Sequence, residues 1–340
     1  MRIELPISKS IANRLLILQA IHGDGLMTVS CDMPDDVRIM SEAIRLLGER
    51  REARIDLGNC GTAMRFLTAY CAQLEGQTTI LDGIERMRHR PIGQLVDALR
   101  EIGADIEYLG EEGFPPLRIK GCILDKRRIV TINNPQSTQF VSALLLIGAN
   151  VQTDSMSPYI YITQEVIKQY QLSPFSYHLS VEKDWSSAAC WYEYVALHGG
   201  EITLPGLSRD SLQGDKIVAD IFAHLGVRST YTAEGVVISS SPLHPTPYTL
   251  HHDFSACPDL YPAIALTCER LGVELHATGV ESLPLKESDR LRAVREHRTD
   301  ADHRMAMALL IAGYEVDDTA CISKSYPNFI EHFRHINSLK

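Results

Sequence analysis

Segments with the pattern of β-strands and segments with the pattern of α-helices alternate along the whole chain. Thr78–Leu81 has the β-branched and apolar residues of a strand, and Pro91–Ile102 has apolar side chains at helical spacing. The strand Ile129–Ile132 is followed by the helix Gln139–Ile147, which Ser137 is predicted to cap. Such alternation is typical of proteins in which helices pack on sheets. We therefore predict an α/β (α+β) fold.

The first residues combine a predicted strand with an unusual helix start. Ile3–Ile7 is predicted to be a strand, and Ser10 is predicted to cap the helix that follows. Lys9 and Arg14 then bracket the first helical turn. Because the N-terminal end of a helix carries partial positive charge, two cations there indicate a bound anion, unless both simply face solvent.

Cationic, hydroxyl and amide side chains recur at further predicted helix starts. Arg86, Arg88 and Arg90 directly precede the helix that is predicted to begin at Pro91. The other starts carry Gly61-Thr62 with Arg65, Ser137-Thr138-Gln139, Lys286 to Arg290, and Asp302-His303-Arg304. A single start of this kind is more often a cap or a solvated helix end, but six in one chain predict a site for phosphates and carboxylates. No P-loop and no GxGxxG fingerprint after a strand is present, so a nucleotide is not favoured.

Length, charge and cysteine content limit the class of protein. A chain of 340 residues is long enough for two domains. The formal net charge of −10 argues against a nucleic-acid-binding surface. The eight cysteines form no CxxC pair, and no segment has the pattern of a secretion signal or of a membrane span. We therefore expect a reduced, cytoplasmic protein that binds neither nucleic acid nor membranes.

Five motifs occur in a fixed order along nearly the whole chain. They are Ser8-Lys9-Ser10 with Asn13-Arg14, Gly58 to Arg65, Arg86 to Ile92, Lys286 to Arg290, and Asp302 to Met307. The last motif, with the sequence DHRMAM, is the most specific. Together they resemble the signatures of the 5-enolpyruvylshikimate-3-phosphate synthase family of enolpyruvyl transferases.

The resemblance implies a two-domain enolpyruvyl transferase fold of repeated βαβαββ units, often described as an inside-out α/β barrel, with three units in each domain. Domain I would comprise residues 1–9 and 184–340, domain II would comprise residues 10–183, and the active site would lie in the cleft between them. The resemblance also implies a monomer that needs no metal and no organic cofactor.

The implied reaction transfers the enolpyruvyl group of phosphoenolpyruvate to the 5-hydroxyl of shikimate 3-phosphate, by addition and then elimination of phosphate. The residues with implied catalytic roles are Asp259, Glu287, Lys286 and Lys9. Asp259 would accept the proton of the attacking hydroxyl, and Glu287 would handle the proton at the enol methylene carbon, with Lys286 nearby. Without the resemblance, Asp259 reads as an ordinary acidic residue at a helix start.

The resemblance also implies two sets of substrate contacts. Those for shikimate 3-phosphate are Lys9, Ser10, Arg14, Ser137, Thr138, Gln139, Tyr159, Asp259 and Lys286. Those for phosphoenolpyruvate are Lys9, Asn59, Gly61, Arg90, Gln139, Arg290, His303, Arg304 and Lys324. Gly61 would leave room for the inhibitor glyphosate beside Arg90, although Phe66 replaces a proline that is common in the family.

The chain is several tens of residues shorter than typical family members. It is short near residues 48–56, 150–154, 170–180 and 291–302, which are either true deletions or places where the sequence omits segments. One alternative function is therefore a degenerate paralogue that binds phosphorylated ligands without turnover. Another is the sister transferase that acts on UDP-N-acetylglucosamine, but it is expected to have Lys-Asn where this chain has Lys9-Ser10. It is also expected to carry a reactive cysteine near the arginine cluster, and no cysteine lies between Cys71 and Cys122.

Overall fold

The computed structural model describes residues 1–172, 181–241 and 249–338. Of the stretch near residues 170–180 that is short compared with the family, residues 173–180 therefore lie outside the described part. The chain forms two compact units. The first unit comprises Met1–Ser8, Asp32–Asp35 and Glu182–Lys340, and the second comprises Lys9–Cys31 and Asp36–Val181. The sequence did not indicate that the short segment Asp32–Asp35 belongs to the first unit. The predicted division into folding domains, 1–9 plus 184–340 and 10–183, stays a prediction.

Helices and strands alternate in the described residues. The helices are α1 (Lys9–His22), α2 (Asp35–Glu49), α3 (Gly61–Ala72), α4 (Glu85–Arg88), α5 (Gly93–Glu101), α6 (Thr138–Leu146), α7 (Pro158–Leu172), α8 (Trp185–His198), α9 (Val218–Ala223), α10 (Tyr261–Leu271), α11 (Arg290–Glu296), α12 (His303–Ala312) and α13 (Phe329–Ser338). The strands are β1 (Glu52–Asp56), β2 (Thr78–Asp82), β3 (Asp105–Tyr108), β4 (Leu117–Lys120), β5 (Ile129–Thr131), β6 (Asn150–Gln152), β7 (Glu201–Pro205), β8 (Val227–Tyr231), β9 (Gly235–Ser240), β10 (Thr249–Asp253) and β11 (Glu274–Thr278).

One sheet of the second unit shows a complete βαβαββ unit. Its strands lie in the order β1-β2-β4-β3, with β1 parallel to β2 and β4 antiparallel to both β2 and β3. Helix α3 connects β1 to β2, and α5 lies between β2 and β3. A parallel strand pair needs such a helical crossover, whereas β3 and β4 are joined by a shorter connection.

The other described sheets are reduced forms of this arrangement. In the second unit, β5 pairs in parallel with β6 across α6. In the first unit, β10 pairs in parallel with β11 across α10, and three antiparallel strands lie in the order β7-β9-β8. Arg2 adds a single parallel bridge to Thr203 of β7. The described residues therefore contain one complete unit, fewer than the three per domain that the resemblance implied.

Several helices lie in the interior of their units rather than on the surface. Residues Ile11 to Gln19 of α1 are buried without interruption, and α3, α8 and α12 are buried nearly all round. A helix that is mostly apolar around its circumference belongs in a core. The strands of the complete sheet instead alternate between buried and exposed residues, as β1 and β4 show. Each unit thus places helices inside and sheets toward the surface.

Some predicted element boundaries were wrong. Ile3–Ile7 is not a regular strand, because this segment makes only an isolated bridge from Ile7 to Lys183 beside the bridge at Arg2. Helix α1 begins at Lys9, so Ser10 lies inside the helix and does not cap it. Helix α5 begins at Gly93 with Ile92 as its N-cap residue, two residues later than predicted.

Cysteine pairing and helix length can be described for the same residues. None of the eight cysteines forms a disulfide in the described part of the chain. Among the helices described, none is both long enough and apolar enough to cross a membrane.

Candidate functional site

The first unit contains a buried cluster of opposite charges, here called the Asp259 cluster. Its members are Asp259, Lys286, Glu287, Arg290, Asp302, Arg304 and Lys324. Most of these residues lie at or just before a helix start. Asp259 lies in the single 3₁₀ turn Pro258–Leu260 before α10, Arg290 begins α11, and Arg304 is the second residue of α12. Helix N-termini and cations thus converge, as the sequence predicted for the anion site.

Arg290 is the centre of the cluster and is only 1% exposed. Its Nε donates to Asp302 Oδ2 at 2.8 Å, its Nη1 donates to Asp259 Oδ1 at 2.8 Å, and its Nη2 donates to Glu287 Oε2 at 3.2 Å. Burial alone would lower the pKa of Arg290, but these carboxylates raise it well above its usual value. A buried guanidinium needs such partners because an unpaired charge in the interior is costly.

Asp259 faces three cations. Arg290 Nη1 lies 2.8 Å from Oδ1, Arg304 Nη2 lies 3.0 Å from Oδ2, and Lys286 Nζ lies 3.7 Å from Oδ1. Glu287 has a similar but looser environment, with Lys324 Nζ 3.8 Å from its Oε1. The structure therefore brings together Asp259, Lys286 and Glu287, the three residues of this unit that were predicted to be catalytic.

Asp302 is a member of the cluster that the predicted site residues did not include. It is the N-cap residue of α12, where its Oδ1 accepts from the backbone N–H of Arg304 at 2.9 Å. Its Oδ2 also accepts from Ser288 Oγ at 3.2 Å, besides Arg290. The side chain of Asp302 thus binds Arg290 and also caps α12, the helix that carries Arg304. An Asp before an apolar helix is a capping signal that could have identified it.

His303 follows Asp302 and begins α12. It is buried, and its Nδ1 lies 3.7 Å from Asp302 Oδ1. Lys324 ends the 3₁₀ helix Ala320–Lys324 instead of beginning a helix. His303 therefore lies next to the cluster and Lys324 belongs to it, although Lys324 differs from the helix-start pattern, and their contact with phosphoenolpyruvate stays a prediction.

In the second unit, Lys9 begins α1 and pairs with Asp36 of α2. Lys9 Nζ lies 2.9 Å from Asp36 Oδ2, and both side chains are mostly buried. The sequence analysis did not single out Asp36. The ion pair restricts the rotation of the Lys9 side chain, and Asp36 thereby fixes the position of the ammonium group.

Arg14 is one turn further along α1 and is buried beneath the start of α7. Its Nε donates to Thr163 Oγ1 at 2.7 Å, and its Nη2 donates to the carbonyl of Tyr159 at 3.0 Å. The guanidinium also lies over the ring of Phe66, with 5.3 Å from Cζ to the ring centroid. Burial lowers the pKa of Arg14 to about 10. Arg14 thus holds the start of α7 at Tyr159, and its guanidinium stacks on the ring of Phe66.

Arg90 lies against the start of α3. An added Cβ on Gly61 would meet Arg90 Nη1 at 2.6 Å, which is shorter than any ordinary contact. Arg65 supports this corner, because its Nη1 donates to the carbonyl of Gly61 at 3.2 Å and its Nη2 donates to the carbonyl of Pro91 at 3.0 Å. Asn59 lies in the turn before α3. Glycine at position 61 is therefore what allows the guanidinium of Arg90 to reach the helix start.

The starts of α3 and α6 lie side by side. Gln139 Nε2 donates to Thr62 Oγ1 at 2.9 Å, which joins the two helix starts. Ser137 caps α6 as predicted, because its side chain accepts from the backbone N–H of Gln139 at 3.3 Å. Thr138 is the first residue of α6. Ser10, the remaining predicted residue of this unit, is the second residue of α1, and its carbonyl accepts from Arg14 Nη1 at 2.6 Å.

The predicted arrangement of Arg86, Arg88 and Arg90 at one helix start was wrong. Arg86 and Arg88 lie in the last turn of α4, where cations are favourable beside the partial negative charge of the helix end. Arg88 also donates from Nε and Nη2 to Asp82, at 2.9 Å in both cases. Arg90 lies against another predicted site residue, Gly61.

The predicted site residues therefore form one set in each unit. In the described part of the chain, no group of His, Cys, Asp and Glu side chains has the geometry of a metal site. The chemistry available to the two sets is the binding of anions by fixed cations and backbone N–H groups, with carboxylates beside them to move protons.

Comparisons with known proteins agree with this chemistry. A family model described as EPSP synthase (3-phosphoshikimate 1-carboxyvinyltransferase) matches residues 1–173, 147–297 and 295–333. The chain is 37% identical to a 3-phosphoshikimate 1-carboxyvinyltransferase of Bacteroides fragilis over 394 residues, which covers 98% of this chain and 94% of that protein. It is 31% identical to the protein of that name from Cellvibrio japonicus over 418 residues, which covers 99% and 96%.

A solved structure of EPSP synthase from Acinetobacter baumannii resembles this chain with a TM-score of 0.70 at 18% identity. The match covers 98% of this chain and 95% of that chain. This likeness shows the fold and confirms the predicted fold class.

Proposed function

This chain belongs to the EPSP synthase family, and we therefore propose that it transfers the enolpyruvyl group of phosphoenolpyruvate to the 5-hydroxyl of shikimate 3-phosphate. Phosphate is the second product. The observation that supports this proposal most strongly is the Asp259 cluster, in which a carboxylate faces Arg290, Arg304 and Lys286. The proposed cellular role is in the shikimate pathway, toward chorismate and the aromatic amino acids.

The first step of the proposed reaction is an addition. The oxygen of the 5-hydroxyl forms a bond to the enol carbon of phosphoenolpyruvate while Asp259 accepts the hydroxyl proton. A proton from Glu287 goes to the methylene carbon, which becomes a methyl group, and Lys286 lies beside this exchange. The product of the step is a tetrahedral ketal that still carries the phosphate.

The second step is an elimination. Glu287 takes back a proton from the methyl carbon, the carbon–carbon double bond forms again, the bond from carbon to the phosphate oxygen breaks, and the departing phosphate carries away the proton held by Asp259. Arg290, Arg304 and Lys324 stabilise the charge on the carboxylate and on the departing phosphate, because fixed cations in a buried site need no reorganisation as charge develops.

The cluster also explains why the carboxylates become active when substrate binds. A carboxylate that is held by three cations keeps its negative charge tightly and is a poor proton acceptor. An incoming carboxylate or phosphate competes for Arg290, Arg304 and Lys324. Asp259 and Glu287 then lose part of their cationic environment and become better proton acceptors, so substrate binding and proton transfer are linked.

The residues of the second unit have positioning and binding roles in this proposal. Lys9, Ser10, Ser137, Thr138 and Gln139 contact shikimate 3-phosphate with hydroxyl, amide and ammonium groups. Arg14 and Tyr159 complete that set, and Asn59, Gly61 and Arg90 bind phosphoenolpyruvate. We further propose that the chain acts as a monomer in the cytoplasm.

Phosphate release by the purified chain tests the proposal. We expect release that requires both phosphoenolpyruvate and shikimate 3-phosphate, with UDP-N-acetylglucosamine inactive as the acceptor. Asp259→Asn keeps the size of the side chain but removes the charge, so we expect turnover to fall by at least about a hundredfold. The exposed Asp210→Asn variant is the matched control. A folded chain that binds shikimate 3-phosphate but releases no phosphate would instead indicate a degenerate paralogue.

A further inference from the structure

Three helices that carry members of the Asp259 cluster at their starts pack on one another within the first unit. Asp259 lies in the turn before α10, Arg290 begins α11, and Arg304 is the second residue of α12. Between their two ends, the three helices share a hydrophobic core of their own, and half of its buried side chains are alanines. Small side chains let helix axes approach closely, so the three helices form one packed group.

The opposite ends of these helices are joined by three side chains, here called the Glu269 triad. Glu269 lies in the last turn of α10, His297 is the C-cap residue of α11, and Tyr314 follows the C-cap residue of α12. His297 Nε2 lies 2.8 Å from Glu269 Oε1 and 3.1 Å from Oε2, and the Tyr314 hydroxyl donates to Oε1. The imidazole stacks on the ring of Tyr314, with 4.1 Å between centroids and 17° between planes. Each helix end therefore contributes one residue, and every residue of the triad contacts the other two.

Glu269 lies where it does not stabilise its own helix. The C-terminal end of a helix carries partial negative charge, so a carboxylate in the last turn is unfavourable there. Burial alone would raise the pKa of Glu269, but the hydrogen bonds from Tyr314 and His297 lower it. Arg270, the next residue, has its Cζ 5.8 Å from the centroid of the Tyr314 ring. The charge of Glu269 thus acts between helices rather than within α10.

Helix α11 depends most on these contacts. Its seven residues make about two turns, which are too few for a helix that is stable by itself. Arg290 binds its start to Asp259, and its middle faces the shared core. His297 binds its end to Glu269, at the point where the chain turns away with a positive φ of 51°. If the contact at its end is lost, α11 can tilt on the shared core, and Arg290 moves with it.

We propose that the Glu269 triad positions Arg290 by holding α11 at a fixed angle to α10 and α12. His297 is then a positioning residue that acts through Arg290, at the opposite end of the same short helix. The fixed angle keeps the guanidinium against Asp259 and in place for an anionic substrate. The inference rests on the proposed function for the identity of that substrate, but not for the position of Arg290.

Exchange of the Arg290 Nε–H with solvent deuterium tests the inference without turnover. This group donates to Asp302 at 2.8 Å, and its ¹⁵N–¹H signal can be assigned by its loss in Arg290→Lys. His297→Leu removes both the donor to Glu269 and the aromatic stack. We expect it to speed this exchange by about threefold to fivefold, the size of effect of a partly exposed ionic contact. His297→Gln keeps a donor near the position of Nε2 and should exchange at close to the wild-type rate.

An internal reference separates positioning from a general loss of stability. The indole N–H of Trp191 donates to the Tyr326 hydroxyl at 3.1 Å, in the core of the same unit, and should exchange at the same rate in all variants. His224→Leu, at the exposed C-cap of α9, is the matched control and should leave both rates unchanged. An unchanged Arg290 rate in His297→Leu, or equal acceleration at Arg290 and Trp191, would overturn the inference.

Tyr314→Phe provides a second variant if His297→Leu does not fold. It keeps the ring stack and removes one hydrogen bond to Glu269, so we expect a smaller acceleration of the Arg290 exchange, again with Trp191 unchanged. Equal rates at Arg290 in Tyr314→Phe and the wild type would contradict the inference.

Steady-state kinetics relate the position of Arg290 to the reaction. Arg290 is a proposed contact of phosphoenolpyruvate and not of shikimate 3-phosphate. We therefore expect His297→Leu to raise KM for phosphoenolpyruvate by about threefold to fivefold, with little change in KM for shikimate 3-phosphate and with recovery in His297→Gln. Phosphate release with equal constants in His297→Leu and the wild type contradicts the inference. A chain that shows the exchange effect but releases no phosphate contradicts only the proposed function.

Discussion

At the residue scale, the absence of one methyl group at position 61 decides where Arg90 can lie. The position of a Cβ on Gly61 is 2.6 Å from Arg90 Nη1 and 2.9 Å from Arg90 Cζ. The backbone of Gly61 is otherwise ordinary helix, so an alanine would cause no backbone strain there. A side chain at this position therefore acts on Arg90 rather than on the stability of α3.

We expect Gly61→Ala to raise KM for phosphoenolpyruvate by about tenfold, because a displaced guanidinium loses roughly one charge-assisted hydrogen bond. The KM for shikimate 3-phosphate should change much less. Steady-state kinetics with each substrate varied in turn measures both constants. Gly48→Ala in α2 is the matched control, since an added Cβ there meets no atom within 4 Å. Equal increases in both KM values would show that the variant disturbs the whole unit.

Glu193 is a second residue whose behaviour is set by its surroundings. It lies in α8 with 0% exposure, and neither carboxylate oxygen has a hydrogen-bond partner among the described residues. Burial raises the pKa of Glu193 well above its usual value. Because the folded state holds this proton more tightly than the unfolded state, the free energy of unfolding falls as pH rises above the unfolded pKa near 4.5.

We expect Glu193→Gln to remove this pH dependence. The variant and the wild type should have similar free energies of unfolding at pH 4.5. The variant should become the more stable of the two toward pH 8, by at most about 1.4 kcal/mol per pH unit. Urea unfolding at a series of pH values measures the difference. The exposed Glu281→Gln variant should track the wild type at every pH, and a difference between Glu193→Gln and the wild type that does not change with pH would refute the expectation.

At the scale of elements, the connection between α11 and α12 is short but well supported. Three of its residues, His297, Asp300 and Ala301, have positive φ values of 51°, 45° and 56°. Asp300 accepts from Arg292 at 2.9 Å and from Arg298 at 3.1 Å. This compact turn leads directly to Asp302, which caps α12 and holds Arg290. The stretch near 291–302 that looked too short in the sequence therefore still presents the arginines to the Asp259 cluster.

Ala301→Gly tests whether the left-handed backbone of this turn costs stability. An L-residue in this region costs roughly 1–2 kcal/mol, and glycine loses about 0.5–1 kcal/mol more chain entropy on folding. We therefore expect the variant to gain about 0.5 kcal/mol in free energy of unfolding, measured by urea denaturation. Ala196→Gly in α8 is the opposite control and should lose about 1 kcal/mol. A loss of stability in both variants would contradict the argument.

At the scale of the whole molecule, each unit has its own core and its own set of site residues. The alignment with the Bacteroides fragilis protein spans 394 positions, more than the 340 residues of this chain. That relative therefore has several tens of residues without a counterpart here. Most predicted residues of both sets nevertheless lie at or just before helix starts.

If both sets of residues are in place, binding of shikimate 3-phosphate should stabilise the intact chain. Shikimate 3-phosphate at a hundred times its dissociation constant should add about 2.7 kcal/mol to the free energy of unfolding and raise Tm by several degrees. Shikimate, which lacks the phosphate, and UDP-N-acetylglucosamine should produce much smaller shifts. Differential scanning calorimetry with the three compounds at equal concentration makes the comparison. A larger shift with UDP-N-acetylglucosamine would favour the sister transferase instead.

The sequence by itself determined the features that depend on neighbouring residues. Helical spacing and a capping serine predicted α6 and the role of Ser137, because a cap needs only a side chain and the next two residues. The same reasoning was wrong for Ser10 and for Arg86, because α1 already begins at Lys9 and because the extra helix α4 contains Arg86. The family motifs predicted the fold class, which the solved structure of similar fold confirms, and a set of site residues, which stays a prediction.

Only the tertiary structure decided which polar and charged side chains pair with each other. Arg290 reaches Asp259 across 31 positions of sequence, and Gln139 reaches Thr62 across 77. Sequence spacing contains no information about such pairs, because the packing of separate helices sets the distances. The same holds for Glu193, whose carboxyl group looks like any other in the sequence. Its protonation depends on how completely the finished fold excludes water from it.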